Sequence, residues 1–378
     1  MRGRGATILL ATCPALLAAA ELVVGPRAPF CTITAAVSVA RSGDRVVIES
    51  GVYREPTIVV RVRGLSLIGR GWPVLDGEGA RAVLILAAES ITVRGLVVRG
   101  TGVSNLEDRA GIRARDAHHC RIDGNRLRDN LFGIYLERSA DCVVTGNDIE
   151  AHGLRQTSSG NGIHLWYSPG ARIAHNRVRG HRDGIYFEFS SHGRTTDNVA
   201  EQSQRYGLHF MFSDSCRYER NTFRSNNSGV AVMYSRGVVI AGNQFVHSWG
   251  PASYGLLLKD ILGAEIADNL FEGSSTGLHV EGSARLDVRG NRFERNGWAI
   301  RVLADADESR FHGNVFRANA FDVATNSRRA NATFDHNWWD AYRGYDLDRD
   351  GIGDIPFRPV RLFALVVERH PAALVLLR

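Results

Sequence analysis

Apolar and polar positions alternate along this chain in short bursts, and the bursts recur at a fixed interval. In Gly184-Ile-Tyr-Phe-Glu-Phe189, Ile185, Phe187 and Phe189 fall on one face and Tyr186 and Glu188 on the other. The same phase returns in Ile134/Leu136, Ile163/Leu165, Leu208/Phe210, Val230/Val232, Leu256/Leu258, Leu278/Val280 and Ile300/Val302. Each Gly-aliphatic pair is followed fourteen residues later by Asn, from Gly111/Asn125 to Gly277/Asn291, and fifteen later in Ala299/Asn314. Most returns from Asn to the next Gly take eight or nine residues. A period of 22–23 residues built from short strands, with no room for a useful helix, predicts an all-β solenoid. The crossover rule makes it a right-handed parallel β-helix, of about twelve coils. Apolar residues after each Asn (Leu127, Ile149, Val178, Phe223, Phe245, Phe271, Phe293, Phe316) share its dry interior. The Asn residues are expected at corners in left-handed backbone, their amides bonding up and down a ladder.

This pattern divides the chain. Residues 1–20 read as a secretory signal peptide, residues 21–336 as the β-helix, and residues 337–378 as a C-terminal cap with an Asp-rich loop and an apolar tail. Residues 31–43 predict a short amphipathic helix over the N-terminal end, where unpaired sheet edges need cover. The net charge of +6 is almost entirely Arg, scattered through every coil and away from aromatic platforms, which argues against nucleic acid as a partner. Cys120 and Cys142 fall in successive coils at one phase; they are within disulfide range if stacked, and a buried row of free thiols is the preferred reading.

Candidate chemistry lies on the outward side of the Gly-aliphatic strand, in two columns. The first reads Tyr135, His164, Tyr186, His209, Ala231, Leu257, His279; the second Glu137, Trp166, Glu188, Met211, Met233, Lys259, Glu281. Met211 and Met233, the two Met residues of the mature chain, are neighbours in one column. A solvent-facing thioether pair with His209, and His164 in the same column, suits a soft ion such as Cu(I), held transiently. Trp166, Tyr186, Glu188, Tyr234 and Trp249 are the expected partner contacts. Insertions at residues 101–110, 151–160 and 246–253 share one corner, expected to open onto this strand, and bring His152, His247 and Trp249. In the tail, Asp346, Asp348, Asp350 and Asp354 resemble half of a calcium loop and are candidates for Ca or Mg; Phe357 stands where the bidentate Glu belongs. The alternative function is a polysaccharide lyase or C5-epimerase acting on acidic glycans, with Glu137, Asp183 and Glu188 as the nearest carboxylates.

Several strings are more specific than the repeat. They are Asp129-Asn-Leu-Phe-Gly-Ile-Tyr-Leu136, Gly160-Asn-Gly-Ile-His-Leu-Trp-Tyr-Ser-Pro169, Arg182-Asp-Gly-Ile-Tyr-Phe187, Tyr206-Gly-Leu-His-Phe-Met-Phe212, Gly229-Val-Ala-Val-Met-Tyr-Ser235 and Gly344-Tyr-Asp-Leu-Asp-Arg-Asp-Gly-Ile-Gly-Asp-Ile-Pro356. Over essentially the whole mature chain the sequence resembles the NosD family, periplasmic maturation proteins of nitrous oxide reductase. The resemblance implies a non-enzymatic accessory role in building that enzyme's copper–sulfur centre. It implies as partners an ABC transporter ATPase and membrane permease, a copper-chaperone lipoprotein and the apo nitrous oxide reductase. The protein would then be periplasmic and attached to the inner membrane through the transporter. The family's functional stretch falls on His209, Met211, Met233 and Tyr234. The resemblance also leads one to expect somewhat more sequence after Arg378.

Overall fold

Three strands make each turn of the chain, and each strand pairs in parallel with its counterpart one turn away. The computed structural model describes residues 19–152, 156–303, 306–326, 332–360, 364, 367 and 372. The three resulting sheets hold 14, 12 and 13 strands. The twelve-stranded sheet, from Ile58–Val60 to Phe321–Thr325, carries the Gly-aliphatic strands. The fourteen-stranded sheet leads to the Asn corner, and the thirteen-stranded sheet leaves it. The all-β parallel solenoid expected from the repeat is therefore present, with about one coil more than the period suggests. The signal-peptide stretch up to residue 18 lies outside the described residues.

One dry core runs through the rod. Ile134, Leu136, Ile185, Phe187, Leu208 and Phe210 are fully buried in it. Phe223, Phe245, Phe271, Phe293, Phe316 and Trp339 stack along its axis with ring centroids 4.0 to 5.6 Å apart. Burying an aromatic ring of this kind is worth about 1.5–3 kcal/mol. At the N-terminal end Thr32 caps α1 (Ile33–Val39), whose Ile33, Ala36 and Val37 seal the core as the amphipathic pattern required. At the other end, strand Trp338–Trp339 still pairs with Val315–Phe316, so the coils run into the stretch expected as a cap. Of the apolar tail, Ala364 and Val367 are buried; Arg361, Arg369 and Arg378 lie outside the described residues.

Corners are held by amides. The Nδ2 of each Asn from Asn125 to Asn314 donates to the Oδ1 of the Asn one coil on, at 2.9–3.0 Å, ending on Asn337. Each backbone N–H donates to the same oxygen, for example Asn198 to Asn221 at 3.0 Å. The ladder is as expected, but the left-handed residue is the one before each Asn. Gly124, His175, Asp197, Arg220 and Asp268 have φ between 54° and 61°. That turn aims the Asn side chain inward, where the next amide and a backbone carbonyl satisfy it, as Ile122 does for Asn147 at 3.0 Å. A second ladder of buried serines, Ser139, Ser168, Ser190, Ser213 and Ser235, lines another corner through backbone N–H to Oγ bonds of 2.9–3.0 Å. Cys120, Cys142 and Cys216 are buried free thiols; Cys142 donates to the Ala117 carbonyl at 3.3 Å.

Candidate functional site

The outward columns of the twelve-stranded sheet are in register. Tyr135 pairs with His164, His164 with Tyr186, and Tyr186 with His209; Glu188 pairs with Met211, and Met211 with Met233. The first column is buried, not solvent-facing. His164 is 8% exposed and His209 4%. Rings on adjacent parallel strands sit one strand spacing apart and cover one another. Tyr135–His164, His164–Tyr186 and Tyr186–His209 centroids are 4.6, 4.9 and 4.6 Å apart, with Phe132 and Tyr206 leaning over them at 5.4 and 4.9 Å. Tyr186 separates His164 from His209 by two strand spacings, roughly 9.6 Å, so the two imidazoles cannot hold one ion. His164 is thereby removed from the expected copper set.

A buried polar chain runs beneath these rings. Asn161 Nδ2 meets His164 Nδ1 at 3.1 Å, and Arg182 donates to Asn161 Oδ1 at 3.2 Å. Fully buried Asp183 takes both arms of the Arg205 guanidinium, one at 2.8 Å, and the Tyr206 N–H at 3.2 Å. Burial pushes the Asp183 carboxyl up, but Arg205 and His209 outweigh it and hold it at about 2. Burial pushes His164 down to about 3 and His209 in the same direction. His209 Nδ1 lies 3.2 Å from Arg205 Nη2 and 3.7 Å from Asp183. Its Nε2 is buried with no partner among the described residues. A guanidinium only donates, so Nδ1 is the acceptor in the Arg205 contact and the neutral ring carries its proton on Nε2.

Met211 and Met233 are half-buried neighbours at the strand ends. The Tyr186 hydroxyl donates to Met211 Sδ at 3.4 Å. Trp166 and Glu188 continue the column, half-buried. Beside it stands a feature the alternation concealed. Phe189 does not point into the core with Ile185 and Phe187; the chain turns left-handed there, at φ 50°, and swings the ring outward. Tyr167, Phe212 and Tyr234 do the same at φ 47°, 51° and 52°. The four rings stack 4.8–5.1 Å apart, 37–49% exposed. A left-handed non-glycine residue costs about 1–2 kcal/mol, and stacking returns about 0.5–1.5 kcal/mol per pair. The signal was readable: aromatic residues at 167, 189, 212 and 234 repeat at the coil period, one place past the second column.

The inserted corner lies elsewhere. Residues 100–109, 151–162 and 247–253 precede strand starts, whereas Met211 and Met233 end their strands, about 16 Å away. His152 is exposed and pairs with Asp129 at 2.9 Å, and exposed Trp249 lies beside Gly297. Among the described residues, the insertions therefore do not open onto the thioethers. Neither do the carboxylates form a catalytic set. Burial pushes Glu137 up, but Arg115 and Arg113 draw it below the usual carboxylate range, with Arg138 also on it. Asp183 is locked by Arg205, which leaves Glu188 alone on the face.

In the tail, carboxylate oxygens of Asp346, Asp348 and Asp350 lie within 4.8 Å of one another, all exposed. Asp346 accepts the Gly351 N–H at 3.0 Å, and Asp354 the Leu347 N–H at 2.7 Å, so Asp354 shapes the turn. Phe357 packs on Trp339 at 5.0 Å, which explains why no twelfth-position ligand is present.

Residues 150–344 match the family model described as periplasmic copper-binding protein (NosD). The chain is 31% identical over 307 residues to a probable ABC transporter binding protein NosD of Stutzerimonas stutzeri, covering 76% of this chain and 69% of that one. It is 32% identical over 304 residues to a protein of the same description in Pseudomonas aeruginosa, covering 75% and 70%. Among solved structures, the A-module of the mannuronan C-5 epimerase AlgE6 of Azotobacter vinelandii superposes with a TM-score of 0.67 at 16% identity, over 81% of this chain and 94% of that one. PfbA, a surface adhesin of Streptococcus pneumoniae, gives 0.61 at 14%, over 79% and 88%. These two likenesses show the fold alone.

The buried imidazoles make stability depend on pH. Burial lowers His181 to about 4, and burial followed by the Arg301 charge lowers His279 to about 4, from 6.5. Between these values the unfolded chain binds protons that the folded chain refuses, so stability rises with pH across that window and is full above it. Urea midpoints measured from about pH 8 to about pH 4.5 are expected to fall below pH 6.5, and to fall less in a His181→Phe/His279→Phe variant. A midpoint that holds or rises on acidification contradicts this.

Proposed function

The chain belongs to the NosD family of periplasmic copper-binding proteins, and on that premise we propose that it is an accessory protein for assembling the copper–sulfur centre of nitrous oxide reductase. It receives Cu(I) on the Met211–Met233 face and presents it to the apo-reductase. The observation that carries this reading is the register of the two thioethers, half-exposed on adjacent strands beside the buried His209 imidazole. Two soft sulfurs on a rigid sheet favour Cu(I) over hard cations, and a set of two or three ligands leaves room for a partner's ligand to take over. Tyr186 orients the Met211 thioether through its hydroxyl. The description of the relatives as ABC transporter binding proteins supports association with such a transporter. Its ATPase and permease at the inner membrane, and a copper-chaperone lipoprotein as donor, are what the family resemblance adds to this reading.

The epimerase or lyase reading has less support. Its fold likeness is real, but arginines hold two of its three carboxylates.

Cu(I) titration against a chromophoric chelator tests the copper role. A Met211→Leu/Met233→Leu variant keeps side-chain volume and is expected to lose about tenfold or more in affinity. Unchanged affinity removes the metal from this face.

We further propose that Asp346, Asp348 and Asp350 take Ca or Mg, fixing the turn that covers the end of the rod. Millimolar calcium is expected to raise the thermal midpoint of the wild type by a few degrees and to leave Asp348→Asn/Asp350→Asn unmoved. Equal response of the two proteins contradicts this.

A further inference from the structure

Two thiols meet in the interior of this rod. Cys120 and Cys142 stand just before strands Arg121–Asp123 and Val143–Thr145, which pair in register on successive coils. The Val143 N–H donates to the Cys120 carbonyl at 2.8 Å, so residue 142 lies beside residue 120 on the next coil. Left-handed residues before them, His119 and Asp141, both at φ 56°, turn the two side chains inward together, and both are fully buried. The structure shows the reduced pair. The Cys142 sulfur leans back toward the coil of Cys120, where it donates to the Ala117 carbonyl. The thiols also act on each other: Cys142 holds Cys120 below the usual thiol range, and Cys120, with burial, pushes Cys142 above it.

Packing does not call for sulfur at this position. The same place on other coils holds Ile91, Ala171, Gly193, Val238 and Ala264. Cys216 shares the column but lies between Gly193 and Val238, with no thiol beside it. Cys31 is exposed, just before α1 at the N-terminal end of the rod. Among the described residues, 120 and 142 are therefore the one place where two cysteines are vertical neighbours.

We propose that Cys120 and Cys142 are joined by a disulfide, made in the periplasm before their coils close. The chain belongs to a periplasmic family, and that compartment is kept oxidising. Adjacent positions on paired strands fall within the usual Cα range for a disulfide, about 4.4–6.8 Å. The oxidant is a protein disulfide. One cysteine thiolate attacks it, giving a mixed disulfide and releasing one sulfur of the oxidant. The second cysteine thiolate then attacks the first cysteine's sulfur, and the oxidant leaves as a dithiol carrying the two electrons and two protons. Neither sulfur is reachable in the closed rod, so the exchange belongs to the folding chain, and the finished bridge is sheltered from reductant. The bridge closes a loop that contains Phe132–Glu137, the strand of Tyr135, and restrains the unfolded chain there. A bridged pair also leaves no thiolates to compete with the two thioethers for Cu(I).

The test takes the full chain from the periplasm of the producing cell, alkylates its free thiols during unfolding in urea, and maps it by mass. Cys31 and Cys216 are expected to be alkylated, and trypsin to release residues 116–121 linked to residues 139–155. Dithiothreitol is expected to leave the link intact in the native protein and to break it in urea. In urea titrations, reductant is expected to lower the wild-type midpoint by roughly 0.5–1 M and to leave Cys120→Ala/Cys142→Ala unmoved. The mass map needs no variant, so it decides the question even where the double variant fails to fold. Alkylation of all four cysteines, or a link between any other pair, overturns the bridge and leaves the copper reading as it stands. Equal response of the two proteins to reductant contradicts it as well.

Discussion

An unbroken row of asparagine amides, each accepting two hydrogen bonds from the coil before it, is the constraint on which the rest of this molecule depends. A parallel sheet alone tolerates slippage, because one backbone repeat looks like the next. The amide row does not. Moving one coil by a single residue would bury an unpaired amide and strand its neighbour's N–H, at about 1–3 kcal/mol for each group left unsatisfied. The added residues before Ile163 and Tyr254 therefore leave the strands that follow in register with their neighbours. Fixed register turns residues some 22 positions apart into vertical neighbours, and every functional feature of the rod is a column of such neighbours.

The columns differ in purpose because they differ in burial. Inside, stacked Phe rings fill the axis and hold the coils together. Just outside the wall, the Tyr–His column and its Asp183–Arg205 pair are covered, neutral or internally compensated, and serve as a rigid floor. At the strand ends, thioethers and ring edges reach solvent. Soft sulfurs and exposed ring edges therefore stand side by side on one face of the rod, which is the arrangement the proposed copper role draws on.

Much of this was legible in the sequence, for identifiable reasons. Strict alternation fixed which of Ile185, Tyr186, Phe187 and Glu188 face inward, and the Asn spacing fixed which coil lies above which. The Met211–Met233 adjacency followed from counting alone. Burial of His164 and His209 did not follow, because it comes from rings on neighbouring coils covering one another. The outward turn of Phe189 was hidden because alternation was continued one residue past the strand end, where φ changes sign. Distance from the inserted corner to the thioethers needed the strand direction, which places insertions at strand starts and Met residues at strand ends.

Trapping the register chemically is the most direct measurement. With Cys31 replaced by Ser, a Met211→Cys/Met233→Cys protein is expected to oxidise readily to an intrachain disulfide, since paired positions on adjacent strands lie within the usual Cα range of about 4.4–6.8 Å. A Met211→Cys/Lys259→Cys control, two strands apart, is expected to stay reduced. A disulfide in the control but not in the first protein, or in neither, would mean that positions 211 and 233 do not face one another, and the copper face would be lost with them.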